Sequence, residues 1–210
     1  MELELKYGIP DEDTALKIWE DDSLAAMEEE SSRETLFMKA AYFDTPDHVL
    51  SSRDITFRIR MEGDRLFATL KWSGKSEGAL HQREEINVPV DDEACFLSPD
   101  PSLFRESQVG QEMIGLLGDQ PLESIIETRF LRKRFRIDTG SSIIEVSLDK
   151  GEIITDKGTE PIAELELELF SGNPEELTAI GNRIAETYGL VGVEESKYAR
   201  GKNLLLKELR

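Results

Sequence analysis

Three charged side chains open the chain at every second residue, Glu2, Glu4 and Lys6, with Leu3 and Leu5 between them. This alternation has the period of a strand, so one face carries two carboxylates and an ammonium about 6.8 Å apart along the chain, and the other face is apolar. A helix would scatter the same charges around its circumference. The pattern returns far downstream in Ala163-Glu164-Leu165-Glu166-Leu167-Glu168-Leu169. Carboxylates converging from two strands are the donor set of a hard divalent cation, Mg²⁺ or Mn²⁺, bound through oxygen.

Bases follow the same parity on the strands between. Arg58 and Arg60 alternate in 55–61, Lys71 lies in 65–72, Arg83 and Glu85 in 81–88, Arg132 and Arg134 in 128–137, and Asp149 ends 142–149. Aligned by parity, one surface collects Lys6, Arg58, Arg60, Lys71, Arg83, Arg132 and Arg134 with Glu2, Glu4, Glu85, Asp149, Glu164 and Glu166. Removing so many charges from water is costly unless they are paired, hydrated or bound to a ligand. The pattern therefore predicts a wet interior with the apolar faces turned outward against helices. Such a sheet has to close. Eight strands are counted, the smallest number that leaves a useful barrel interior. The expected class is α+β, an eight-stranded antiparallel closed β-barrel flanked by helices. Guanidinium and ammonium groups along several strands suit the oxygens of a phosphate chain, and carboxylates at one end suit a metal bridging to them.

The elements that position these residues have their own signals. An amphipathic, acid-rich helix is expected over 13–30, a strand over 35–44, a hairpin turn at Gly63-Asp64 and a loop over 73–78 that lacks a phosphate-binding fingerprint. The looser stretch 91–121 reads as an insertion or a midpoint between two halves. Asn173 and Pro174 start a helix that ends at Gly189, and a terminal helix is expected over 198–206. Lys133 and Arg136 read as surface ion-pair residues, Glu145 and Glu168 as rim or salt-bridge residues, His48 as a capping or surface histidine, and Trp19 and Trp72 as apolar packing under helices.

The 44 acids against 25 bases give a net charge of −19, which excludes nucleic acid and anionic membrane as partners. An acidic exterior around a basic interior still admits a small polyanion. The single cysteine, Cys95, excludes a disulfide framework and fits a cytoplasmic location. No apolar stretch reaches the length of a membrane span. Oligomeric state, a homodimer included, stays open.

The motifs together resemble the CYTH group of triphosphate tunnel metalloenzymes. They are Glu-x-Glu-x-Lys (2–6), Tyr-Phe-Asp-Thr-Pro-Asp (42–47), Arg-x-Arg (58–60), Leu-Lys-Trp around Lys71, Arg-Glu-Glu (83–85), the Arg-Lys-Arg strand (132–134), Leu-Asp-x-Gly (148–151), Glu-Leu-Glu-Leu-Glu (164–168) and Ser-Lys-Tyr-Ala-Arg-Gly (196–201). Residues 81–85, 160–169 and 196–201 look most like bacterial inorganic triphosphatases of this group. The resemblance implies a single CYTH domain over 1–210, here without the C-terminal helical histidine-rich domain those proteins often carry. It implies a tunnel that hydrolyses the terminal phosphoryl group of tripolyphosphate with Mg²⁺ or Mn²⁺. Glu2, Glu4, Glu164 and Glu166 would hold the metal, with Asp149, Glu85 and Glu168 as further candidates. Arg58, Arg60, Lys71, Arg83, Arg132, Arg134 and Lys197 would clamp phosphate oxygens. Lys6 would sit beside the reacting group and, with Glu4 and Arg58, form the catalytic set. Two other readings stand beside this one: an organic-triphosphate enzyme on the same fold (thiamine triphosphatase, nucleoside triphosphatase or class IV adenylate cyclase), and a non-catalytic polyphosphate or nucleotide binder.

Overall fold

The computed structural model describes residues 2–206. Eight antiparallel strands form a barrel: β1 (Glu2–Gly8), β2 (Glu34–Asp44), β3 (Thr56–Glu62), β4 (Arg65–Glu77), β5 (Leu80–Val90), β6 (Glu123–Asp138), β7 (Ile143–Thr155) and β8 (Gly158–Ser171). Their order is β5-β4-β3-β2-β6-β7-β8-β1, and the barrel closes where residues 2–5 of β1 pair with residues 83–80 of β5. A two-residue strand, β9 (Val191–Gly192), takes over that edge of β1 at Tyr7 and Gly8.

The apolar faces point outward, as the alternation predicts. On one flank Leu5, Tyr7, Phe135, Ile137, Val146, Leu165 and Leu167 bury against Ile18, Leu24, Leu177 and Ile184. These come from α1 (Glu12–Trp19), α2 (Asp22–Ala25) and α4 (Pro174–Tyr188). On the other flank Phe57, Ile59, Ala68 and Leu70 bury against Phe104, Met113 and Leu117, from a 3₁₀ turn at Pro101–Phe104 and α3 (Gln108–Leu117). Each fully buried Leu, Ile or Phe contributes about 1.5–3 kcal/mol, so these outer layers are the source of stability that lets the interior stay charged. A Cβ on Gly181 would lie 2.3 Å from Leu5 Cδ1. The missing side chain thus seats α4 directly on β1, the strand that carries Glu2, Glu4 and Lys6. The terminal helix α5 (Lys197–Leu206) crosses β7 and β8.

Several expectations change in detail. The helix expected over 13–30 is two short helices, because Asp21 re-caps the chain by accepting from the Ser23 and Leu24 amides; the following residues return along β6, where Glu28 bridges Ile137. The expected loop 73–78 is mostly strand: β4 and β5 pair up to Glu77 and Leu80, with an irregularity between Trp72 and Lys75. The stretch 91–121 supplies the cover over β3–β5. Helix α4 begins as predicted, with Asn173 accepting from the Glu175 amide at 2.9 Å, and Gly189 ends it in the left-handed region at φ 65°.

Candidate active site

The barrel encloses a cavity of about 400 Å³ lined by Glu2, Glu4, Lys6, Arg58, Arg60, Lys71, Arg83, Arg132, Glu166, Glu168 and Lys197 among others. Parity alone had gathered most of these. Glu85, Arg134, Asp149 and Glu164, also expected there, do not line it.

The interior has two unlike walls. On the β6–β8 wall every cation is matched. Arg132 makes a bidentate pair with Asp149, both contacts at 2.7 Å, and reaches Glu166 at 2.5 Å. Lys197, the first residue of α5, lies 2.9 Å from Asp149 and 2.7 Å from both Glu164 and Glu166. Arg200, one turn on, pairs with Glu160 at 2.7 Å and with Glu164. Burial opposes charge on Glu166, but Lys197, Lys6 and Arg132 outweigh it and hold the carboxyl well below its usual range. Burial likewise opposes charge on Lys197, and Asp149, Glu164 and Glu166 reverse this and keep the ammonium protonated. Among the described residues, Asp149, Glu164 and Glu166 have carboxylate oxygens within 4.8 Å of one another, a spacing a metal could use. Lys197 already lies against all three, and Arg132 against Asp149 and Glu166.

The β3–β5 wall is short of anions. Arg58 Nε and Nη2, Arg60 Nε, Arg83 Nε and Thr56 Oγ1 are buried with no protein hydrogen-bond partner, a costly state for charged donors unless a ligand meets them. Burial and the neighbouring Arg58 both push the Arg60 pKa down. Lys71 is shared between Glu2 at 2.5 Å and Glu85 at 3.0 Å; burial would raise Glu85, but Lys71 and Arg58 win and hold it at about 2. Tyr42, buried, faces Arg58, which lowers its pKa against the opposing effect of burial.

At one end the balance reverses. Glu4 registers against Glu168 across β1–β8, and burial followed by repulsion from Glu2 and Glu4 pushes Glu168 up to about 8. Lys6 lies 3.1 Å from Glu4 and 3.3 Å from Glu166; burial disfavours its charge, and these two carboxylates restore it. Arg134 sits on another ion cluster, with Glu34 at 2.6 Å, Glu62 at 2.5 Å and Glu145 at 3.4 Å, so its donors are already engaged. Lys133 and Arg136 stay exposed on the outside and rim.

Over residues 1–201 the sequence matches the model of the CYTH domain. The chain belongs to the CYTH domain family. The inorganic triphosphatase of Haemophilus influenzae is 34% identical to this CYTH domain over 149 residues, which are 69% of this chain and 39% of that protein. Among solved structures, HpAC1 of Hippeastrum, an adenylyl cyclase candidate with a dominant triphosphatase activity, superposes with a TM-score of 0.69 at 21% identity, covering 97% of this chain and 96% of its own. The RNA triphosphatase domain of the mimivirus mRNA capping enzyme superposes with a TM-score of 0.52 at 13% identity, covering 90% and 89%. At these identities the two structures establish the fold alone.

Reading the sequence by parity missed Tyr42, Asp54, Gly74, Lys75 and Lys202, which also line the CYTH tunnel, and Arg200. Lys197 and Arg200 are three apart, the spacing that puts two side chains on one helix face, so Arg200 was within reach of a helical reading of 197–206. Asp54, Gly74 and Lys75 stand at irregular backbone where no period applies; Tyr42 lies in β2 beside an irregularity in its pairing with β6, and Lys202 lies within α5.

Proposed function

We propose that this CYTH domain hydrolyses inorganic tripolyphosphate to pyrophosphate and phosphate with Mg²⁺ or Mn²⁺. The observation that carries the reading is the row of unpartnered buried donors on Arg58, Arg60 and Arg83 beside Lys71, facing a carboxylate set with excess negative charge. A linear polyanion with a bridging cation satisfies both surfaces at once. The Haemophilus relative supports inorganic tripolyphosphate as the substrate.

Glu2, Glu4 and Glu168 would hold the metal. Hard oxygen donors, one of which is raised to about 8 by burial and then by repulsion from the other two, fit a small divalent cation. Glu2 and Glu4 each meet one lysine, Lys71 and Lys6, whereas Asp149 and Glu166 carry both Lys197 and Arg132, and Glu164 carries Lys197 and Arg200. A bound ion would supply charge neutralisation at the phosphoryl oxygens. The chain's own residues do the rest. Arg58, Arg60, Lys71 and Arg83 bind and straighten the phosphate chain. Lys6, kept protonated by Glu4 and Glu166, stabilises charge on the transferring group, and water is the attacking nucleophile. Positioning and electrostatics carry most of the rate in such a reaction. The lone cysteine and the acidic surface support a cytoplasmic enzyme acting on a small molecule, with no nucleic-acid partner.

The test is phosphate release from tripolyphosphate, ATP and thiamine triphosphate, each with Mg²⁺, with Mn²⁺ and with chelator. Metal-dependent preference for tripolyphosphate is expected; preference for an organic triphosphate or binding without release would overturn it. Arg58→Ala and Arg60→Ala each lower kcat/KM by about 10- to 100-fold, the loss of a charge-assisted hydrogen bond, while the urea midpoint is unchanged or higher because a buried orphan donor is gone. An unaltered kcat/KM would remove that arginine from the substrate wall.

The pH dependence has a definite sign. A carboxyl whose folded pKa is raised costs stability as pH rises from its ordinary 4.5 through about 8. In chelator the melting temperature therefore falls across that window, and the increase produced by Mn²⁺ is larger at pH about 8.5 than at pH about 6, because binding competes with the proton. A metal-induced shift independent of pH would take Glu168 out of the ligand set.

A further inference from the structure

Arg83 is gripped at the cavity wall by a distant turn and by the neighbouring strand of its own hairpin. Asp54 follows the 3₁₀ turn Ser51–Arg53 and stands in the left-handed region at φ 55°, ψ 30°, a conformation that Asp adopts more readily than most residues. Its Oδ1 accepts from Arg83 Nη2 at 2.7 Å, and its Oδ2 accepts from the Gly74 amide at 2.8 Å. Gly74 lies in the irregular step of β4 between Trp72 and Lys75. A Cβ there would be 2.7 Å from Arg83 Nε and 3.1 Å from its Cζ, so the guanidinium lies flat on the bare glycine. Asp54, Gly74 and Arg83 all line the cavity, and Arg83 Nε is left buried without a partner.

We propose that Asp54 and Gly74 form a positioning device for Arg83. The carboxylate occupies Nη2, the glycine provides the flat bed, and Nε is presented to an oxygen of a phosphate anion. The inference rests on the reading of the cavity as a phosphate tunnel, but it requires only that the cavity take a phosphate anion. An ordinary partly exposed ion pair would contribute little. What sets this one apart is the second carboxylate oxygen of Asp54, which accepts from the Gly74 amide and ties the arginine to the backbone step beside it.

Three variants separate positioning from structure. Asp54→Gly removes the carboxylate and keeps a residue at ease at φ 55°; Asp54→Asn keeps both the conformation and an acceptor; Gly74→Ala lifts the guanidinium, the far end of a flexible side chain. Binding of tripolyphosphate, pyrophosphate and ATP is measured by calorimetry alongside turnover of tripolyphosphate. Expected are about 3- to 10-fold weaker binding and higher KM for Asp54→Gly and Gly74→Ala, substantial recovery in Asp54→Asn, unchanged urea midpoints, and no additional loss when Asp54→Gly is combined with Arg83→Ala. Wild-type affinity in Asp54→Gly, or a full additional loss in the double variant, would overturn the proposal. If the chain binds ATP but does not turn over tripolyphosphate, the proposed activity fails and the variants are judged on ATP; failure to bind all three anions defeats both.

Discussion

Glu4→Gln abolishes metal-dependent turnover, with kcat for tripolyphosphate falling by about three orders of magnitude, equivalent to about 4 kcal/mol of transition-state stabilisation. Glu4 faces Glu168 across the β1–β8 pairing and holds Lys6 at 3.1 Å, so one neutral amide removes an anionic donor to the metal and the nearest of the anions that keep Lys6 charged. The fold should persist. Glu4 stands on the cavity side of β1, whereas the strand is anchored by Leu5 and Tyr7 packed on α4. Kinetics with Mg²⁺ and Mn²⁺, a metal titration and a denaturation curve on the same preparation are the checks. Turnover retained within tenfold at saturating metal would remove Glu4 from the site.

Lys197→Met has its largest effect on stability. Lys197 is buried within 2.9 Å of Asp149, Glu164 and Glu166, and among the described residues no other cation touches all three. Breaking a buried ion network by removing one partner costs about 3–5 kcal/mol, because the opposite charges are left uncompensated. The urea midpoint should fall accordingly. The pH dependence gives the mechanism away. Glu166, held well below its ordinary 4.5 largely by Lys197, contributes stability that is fully present above that value and is lost as pH falls through its folded pKa. The variant has less of this stability to lose, so its deficit shrinks on acidification. A deficit constant with pH, or below about 1 kcal/mol, would mean that the carboxylates are neutralised without Lys197. Arg58→Ala forms the contrast, impairing activity without this loss.

The polar interior, the outward leucines and the closure of the barrel were legible in the sequence, because strand parity is local: Glu2, Glu4 and Lys6 share a face whatever the rest of the chain does. The cap at Asn173 and the stop at Gly189 were legible for the same reason. The break at Asp21 was not, since a second cap inside an amphipathic run competes with helix continuation and the outcome depends on the return of the chain along β6. Nor was the paired extension of β4 and β5 beyond Trp72, where the period is interrupted.

Among the site residues, parity determined that Arg58, Arg60, Arg83, Arg132 and Arg134 would sit with acids on one surface. It could not say which of them would be neutralised. Only the tertiary structure decided that Arg132 opposes Asp149 across β6–β7, that α5 delivers Lys197 and Arg200 onto the carboxylates of β7 and β8, and that Arg134 meets Glu34, Glu62 and Glu145 instead of the cavity. The physical reason is distance. Alternation assigns a side chain to a face, whereas the charge it feels depends on strand register and on helices arriving from far along the chain, and these leave Nε of Arg58, Arg60 and Arg83 without partners and the β1–β8 carboxylates in excess.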